Sequence, residues 1–409
     1  REALIPSVSP KGSEDNTDAE APILLSEAEA WLSAPALPET NGGENARTLL
    51  LRQFPWIEHG ETARRKRASD EYTQYDGLLP KGEYPDLAIF RTDTSTVSAN
   101  RLQTFATAPY AYFIQYVLGV NPLEEPALDD EPWLTAIRKG SILHDAFDRM
   151  MTGHDALVGT DQAHKQLVEI LQEKVEHFAK TDHLSEAGRQ NALDALRPVA
   201  RVFLQSERVR ADRFTPHHFE WGFGHDPHRR KECDAETVHL EFQTDHAPLP
   251  VRGRIDRIDL EEAPSDTGKD ALWIWDYKSG STSSFDVSDP IQSGKKLQWI
   301  LYAQVAQQEL GQPVVRSGYF FPDVKEMGVR LDYPVNAGYR TEMENILIRL
   351  GEMSRTGAFP MSPKASDTAA WKYGDYDALF PDLDEREAQL EAKSYPEGDD
   401  REMPHAFEG

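Results

Sequence analysis

The stretch WIWDYKSGS, residues 273–281, runs two tryptophans and an isoleucine straight into Asp276, Tyr277 and Lys278 before Ser279 and Gly280 break the pattern. Trp273, Ile274 and Trp275 read as a buried strand, and Gly280 is expected to end it. Residues i and i+2 of a strand share a face, so Asp276 and Lys278 project together while Tyr277 turns away. A carboxylate on so apolar a strand needs a partner, because burying an isolated charge is costly. Lys278 would make the pair a plain salt bridge. A metal ion is the other partner the chemistry allows.

The preceding segment, LPVRGRIDRIDLE (249–261), reads as a neighbouring strand and adds Asp256 and Asp259, flanked by Arg252, Arg254 and Arg257. Carboxylates on two adjacent strands, with a lysine two residues past the second, can form a hard-cation site, since magnesium takes oxygen ligands and keeps several waters. Such an ion would polarise a phosphodiester and activate water, with the lysine orienting that water or offsetting charge. A surface strand pair with Asp–Arg ladders accounts for the same residues, and in that reading Arg254 and Arg257 pair with Asp256 and Asp259 rather than touch phosphates.

Further strands are expected at 217–224, 236–244, 314–322 and near 327–333, and helices at 294–311 and 337–356. Upstream, the pattern is helical: 97–120 with a cap at Ser98 and a stop at Gly119, then 131–153, 160–182 and 185–212. ILLSEAEAWLSA (23–34) has helical spacing, and one or two more helices end near Gly77. ARRKR (63–67) reads as a solvated helix face. Residues 1–22 read as disordered or a linker. The acidic tail from about 384 reads as a frayed helix or disordered.

The 409 residues carry a net charge of −26, which argues against a broad nucleic-acid coat. A local basic groove remains compatible with it. The single cysteine, Cys233, excludes a disulfide framework or a cysteine-ligated cluster and fits a reducing, cytoplasmic setting. There is no run of about 18 apolar residues, so no membrane span is expected. No G-x-x-x-x-G-K-[ST] loop appears, so no motor is expected within these residues. The chain begins with neither Met nor an apolar signal core and reads as a piece of something longer.

GRIDRID (253–259), DYKSG (276–280) and LQWILYA (297–303), in that order, resemble the RecB-type branch of the PD-(D/E)XK nuclease superfamily. That branch includes the nuclease domains of RecB, AddA and AddB helicase–nuclease proteins. GSILHDAFD (140–148) looks like its Gly-x-x-x-His helix, and residues 97–120 look like its opening helix. The resemblance implies an α/β, restriction-endonuclease-like core with a mixed sheet flanked by helices, plus a helical lobe. It would occupy 97–380, with the lobe at 97–215 and the catalytic core at 216–380, between a joining region at 23–96 and the tail at 381–409. It implies Asp256 and Asp276 as ligands of Mg2+ or Mn2+, His144 as a further ligand, Lys278 as the catalytic lysine, and Gln298 and Tyr302 beside the site. Glu220 matches an acidic position near the metal. Arg254, Arg257, Lys295 and Lys296 are the candidate DNA contacts. His217, His218, His225 and His228 lack zinc-site spacing and read as a loop.

Many members of this branch carry four cysteines around an iron–sulfur cluster. Here Ala108, Trp371, Gly374 and Phe380 align with those positions, so no cluster is expected, and the aromatic residues could fill the space by packing. The implied activity is cleavage of single-stranded DNA fed by a helicase domain or subunit in double-strand-break repair. A catalytically idle DNA-binding scaffold and a stand-alone exonuclease are the alternatives.

Overall fold

The structure, a computed structural model, describes residues 51–90, 96–121, 132–154, 161–224, 234–235, 238–242, 247–262, 270–365, 371, 382–399 and 401. In chain order the helices are α1 (Pro55–Arg67), α2 (Ala99–Thr107), α3 (Pro109–Tyr112), α4 (Ala136–His154), α5 (Asp161–Thr181), α6 (Glu186–Arg208), α7 (Gln298–Leu310), α8 (Ala337–Thr356) and α9 (Leu383–Glu391). The strands are β1 (Val97–Ser98), β2 (Thr215–Phe223), β3 (Val238–Leu240), β4 (Leu249–Glu261), β5 (Ala271–Tyr277), β6 (Val314–Phe321) and β7 (Val329–Pro334). The helix expected over 97–120 is broken, because Pro109 holds Ala108 out of helical geometry. It resumes as α3 and a π-helical turn, Phe113–Val117.

The chain divides into two compact units, Arg1–Pro80 with Pro360–Asp399, and Lys81–Phe359 with Asp400–Gly409. In the first unit Asp76 is fully buried. It accepts from Thr73 N at 2.7 Å and Thr73 Oγ1 at 2.8 Å, and it pairs with Arg386 of α9 and with Lys393. Tyr72 stacks on Tyr395 with ring centroids 4.8 Å apart. The acidic tail is therefore not simply frayed: Arg386 and Leu390 of α9 are buried, because Asp76 needs cationic partners away from water. Of the four positions aligned with cluster cysteines, Ala108 and Trp371 are buried, and Gly374 and Phe380 lie outside the described residues.

In the second unit the described strands form one mixed sheet in the order β1-β4-β5-β6-β7, with β2 and β3 also pairing with β4. β4 is long enough to serve two sets of neighbours: its start pairs with β1 and β3, and its end with β2 and β5. β5 runs parallel to β6, and α7 makes the crossover such a pair needs. Every residue of β5 is buried, as a strand covered on both faces requires. One face carries Trp273, Trp275, Tyr277 and Phe320, which pack into the α4–α6 helical layer, where Phe147 stacks on Phe203 at 3.9 Å. The other face lies against α7, on which α2 and α8 pack. Ser317 Oγ donates to the Trp299 carbonyl at 2.7 Å and pins α7 to β6.

Candidate active site

The period of two in β4 separates its charged residues onto opposite faces. Asp256 projects to the α7 side with Asp276, whereas Arg257 and Asp259 project to the α6 side. The expectation that Arg257 contacts DNA is corrected here. Arg257 is 2% exposed, with Nη1 at 2.6 Å from Glu207 Oε2 and Nε at 2.5 Å from Asp259 Oδ1. Burial alone would pull its pKa down, but the charges of Asp259 and Glu207 hold it well above the ordinary value.

Around Asp256 and Asp276 two groups of side chains meet, with His144 reaching in from α4 of the opposite layer. The first is His144 of α4, Glu220 of β2 and Asp256 of β4, whose donor atoms lie within 4.8 Å of one another. His144 Nδ1 is 3.5 Å from Asp256 Oδ1 and 3.8 Å from Glu220 Oε1. Its Nε2 lies 3.1 Å from the Tyr277 carbonyl, and Tyr277 N donates to Asp256 Oδ2 at 2.7 Å. The main chain of one β5 residue thus touches two of the three side chains. The pairs Phe219↔Arg257 and Trp221↔Ile255 set Glu220 opposite Asp256. Like charges placed opposite each other destabilise a sheet unless a cation lies between them. Glu220 also has a left-handed φ of 46°, a conformation that costs about 1–3 kcal/mol for a non-glycine residue.

The second group is Asp276, Lys278 and Gln298. Lys278 Nζ lies 2.5 Å from Asp276 Oδ2, and Gln298 Nε2 donates to Asp276 Oδ1 at 2.6 Å. Lys278 Nζ reaches Gln298 Oε1 at 3.4 Å. The plain salt bridge and the grouping of acids are both present. The tight group that could hold a metal ion, however, joins His144 and Asp256 to Glu220, while Asp276 is engaged by Lys278 and Gln298. Tyr302, one turn along α7, is buried against Phe223 and hydrogen-bonds with Gln298 and the Arg254 main chain.

The electrostatics are those of a cation-seeking pocket. Burial opposes a charge on His144, yet hydrogen bonds with Asp256 and Glu220 and the charges of Asp256 and Asp276 raise its pKa to about 10. Burial and the charge of Asp276 raise Asp256 to about 6. Burial also opposes the Lys278 charge, but Asp276 outweighs it and the pKa is raised. Burial, with the charges of Asp276 and Asp256, lifts the Tyr302 hydroxyl well above its ordinary range. The donor set of one imidazole and two carboxylates suits a divalent cation, and a proton on His144 occupies that electrostatic role in the free protein.

A cleft of about 720 Å3 opens beside these residues, lined among others by Asn100, His144, Glu220, Arg252, Arg254 and Asp256. Of the remaining candidate DNA contacts, Arg254 turns to the Glu220 main chain, donating from Nη1 at 2.7 Å. Lys295 is exposed. Lys296 Nζ sits 3.8 Å from the centre of the Phe285 ring, its pKa lowered by burial and by Lys278. His217 and His218 stand on β2 rather than in a loop, and His225 and His228 lie outside the described residues. Gln103, which accepts from Gln298 N at 3.1 Å, had no signal in the sequence. The same holds for the main chain of Tyr277.

A mixed sheet crossed by α7, with an Asp-x-Lys pair ending β5 and an aspartate on the adjacent strand, defines a restriction-endonuclease-like nuclease core. The PD-(D/E)XK nuclease superfamily model matches residues 96–370, and the chain belongs to that superfamily. It is also similar to proteins named as subunits of an ATP-dependent helicase/deoxyribonuclease. The one from Acetivibrio thermocellus is 25% identical over 346 residues, covering 79% of this chain and 28% of the relative. That from Clostridium perfringens strain SM101 is 25% identical over 260 residues, covering 62% and 21%. That from Lachnoclostridium phytofermentans is 28% identical over 227 residues, covering 53% and 17%. The chain thus spans less than a third of the length of these relatives. Among the described residues no helix is long and apolar enough to cross a membrane.

Proposed function

We propose that this chain is the nuclease module of a helicase–nuclease, a Mg2+- or Mn2+-dependent deoxyribonuclease that trims single-stranded DNA exonucleolytically during double-strand-break repair. The observation that carries the reading is the meeting of two groups of side chains around Asp256 and Asp276. His144, Glu220 and Asp256 form a ligand group, and Asp276, Lys278 and Gln298 a charged relay beside it. The DNA substrate and the helicase association draw on the names of the relatives.

His144, Glu220 and Asp256 would hold the cation, with Asp276 at its border. When bound, such a cation neutralises phosphate charge and lowers the pKa of water. The protein's own residues do the rest. Asp276 and Asp256 hold the Lys278 ammonium charged beside the ligand group, where it would orient the attacking water and offset the charge developing on the phosphate. Tyr302 stays protonated and keeps Gln298 in place. Water adds to phosphorus, the bond to the 3′ oxygen breaks, and a 5′-phosphate is left.

The test is cleavage of end-labelled single-stranded DNA with Mg2+, comparing wild type with Asp276→Asn and Lys278→Ala. Each variant is expected to lose roughly 10³-fold or more in kcat, the scale of a lost transition-state donor, with unchanged circular dichroism. Equal cleavage by wild type and variants would sink the assignment.

A further inference from the structure

Glu220 is held in an unfavourable backbone conformation at the β2 position set opposite Asp256, and something must keep it there. Its φ of 46° lies in the region that L residues rarely adopt. The group that engages it is Arg254, two residues before Asp256 on the paired strand. Arg254 Nη1 donates to the Glu220 carbonyl at 2.7 Å, and its Nε lies 3.7 Å from Glu220 Oε2. The guanidinium therefore meets the main chain and the carboxylate of one residue together, a fork that lysine cannot reproduce. The surroundings are shaped to receive it. A Cβ at Gly222 would lie 3.4 Å from Arg254 Nη2, and Gly222 N is tied to Asp234 Oδ2 at 2.7 Å. The Arg254 side chain is only 16% exposed, which leaves it little surface for a DNA phosphate.

We propose that Arg254 is a positioning residue of the cation site, acting through Glu220 rather than on DNA. By holding the left-handed main chain of Glu220 it aims the carboxylate at His144 and Asp256 and completes the ligand group. This rests on the cation reading of the site given above. Residues that orient ligands in this way typically change metal affinity or activity by ~10–100-fold when replaced.

The experiment is calorimetric titration of Mn2+ into wild type, Arg254→Lys, Arg254→Gln, Glu220→Gln and the double variant Arg254→Lys/Glu220→Gln, alongside steady-state kinetics on single-stranded DNA at several salt concentrations. Arg254→Lys keeps the charge and stem, and Arg254→Gln serves if the lysine variant fails to fold. The expected result is a rise in Mn2+ Kd of ~10-fold or more for each Arg254 variant. Glu220→Gln should weaken binding too, and the double variant should be no worse than Glu220→Gln alone. KM for DNA and its salt dependence should stay at the wild-type value while kcat falls. Unchanged Mn2+ affinity in the Arg254 variants, with a raised KM and a salt slope reduced by about one, would make Arg254 a phosphate contact and overturn the inference alone. Failure of the wild type to bind Mn2+ would overturn the cation reading and this inference with it.

Discussion

The two faces of β4 and β5 carry similar residues and do opposite things. On the α6 face, Arg257, Asp259, Glu207 and Arg330 are buried or nearly so and form ion pairs with one another. Glu207 takes Arg257 at 2.6 Å and Arg330 at 2.5 Å, and Trp275 Nε1 donates to Asp259 Oδ2 at 3.0 Å. Arg210 completes the set over the Phe214 ring. On the α7 face, Glu220 and Asp256 line an open cleft with Asp276 buried beside them, and the charges of these acids raise the pKa of His144. One face is a closed ion network, the other an open one. Charge inside a sheet is therefore no sign of function by itself. What marks the candidate site is a set of acids beside a cleft, of which Glu220 and Asp256 line the opening.

The contrast can be broken at its closed face first. Glu207→Gln removes the anion paired with Arg330 and leaves Arg257 with Asp259 alone, and loss of one partner of a buried pair costs about 3–5 kcal/mol. Denaturant unfolding should show that loss, with the cleavage rate per folded molecule unchanged. A loss below about 1 kcal/mol, typical of exposed pairs, would mean that the network is not closed.

At the open face the sign should reverse. The folded pKa of Asp256, about 6, stands above the ordinary 3.8, so its stabilising contribution is fully present below pH 3.8 and lost as pH rises through about 6. Asp256→Asn removes the penalty at pH 7. It should stabilise the metal-free protein by roughly 1–2 kcal/mol, less than the full shift implies, because His144 loses a partner, and it should abolish cleavage. A destabilised Asp256→Asn in thermal unfolding would break the comparison.

The smallest expected effect sharpens it. His144 holds its proton up to about pH 10 in the free protein, against the ordinary 6.5. Cation entry must expel that proton, so apparent Mn2+ Kd should fall by about tenfold per pH unit at most between pH 7 and 9. Titration in buffers of different ionisation enthalpy counts the released proton. A pH-independent Kd would place the cation away from His144.

Much of the core was legible in the sequence, for reasons specific to β4 and β5. A fully buried strand reads as an apolar run, and the period of two places Asp276 against Lys278 and Tyr277 away from both. The same period separates Asp256 from Arg257. Applied strictly, it already denies Arg257 a place beside the site. Pro109 likewise announces the break that the expected 97–120 helix overlooked. The packed helix at 383–391 was less legible, because its composition is acidic and its anchor, Asp76, lies far away in sequence.

The sequence by itself determined the strand–helix order and the superfamily, and it offered the acids and lysine of the candidate site, because these depend on local periodicity and short motifs. Only the tertiary structure decided which charges neutralise which. Glu207 and Arg330 close around Arg257 from distant elements, and Glu220 reaches the ligand group through a left-handed turn of its own main chain. The Tyr277 main chain touches both His144 and Asp256. Each of these depends on distances across the fold and on exclusion of water, and burial fixes the strength of a charge only after the chain has packed.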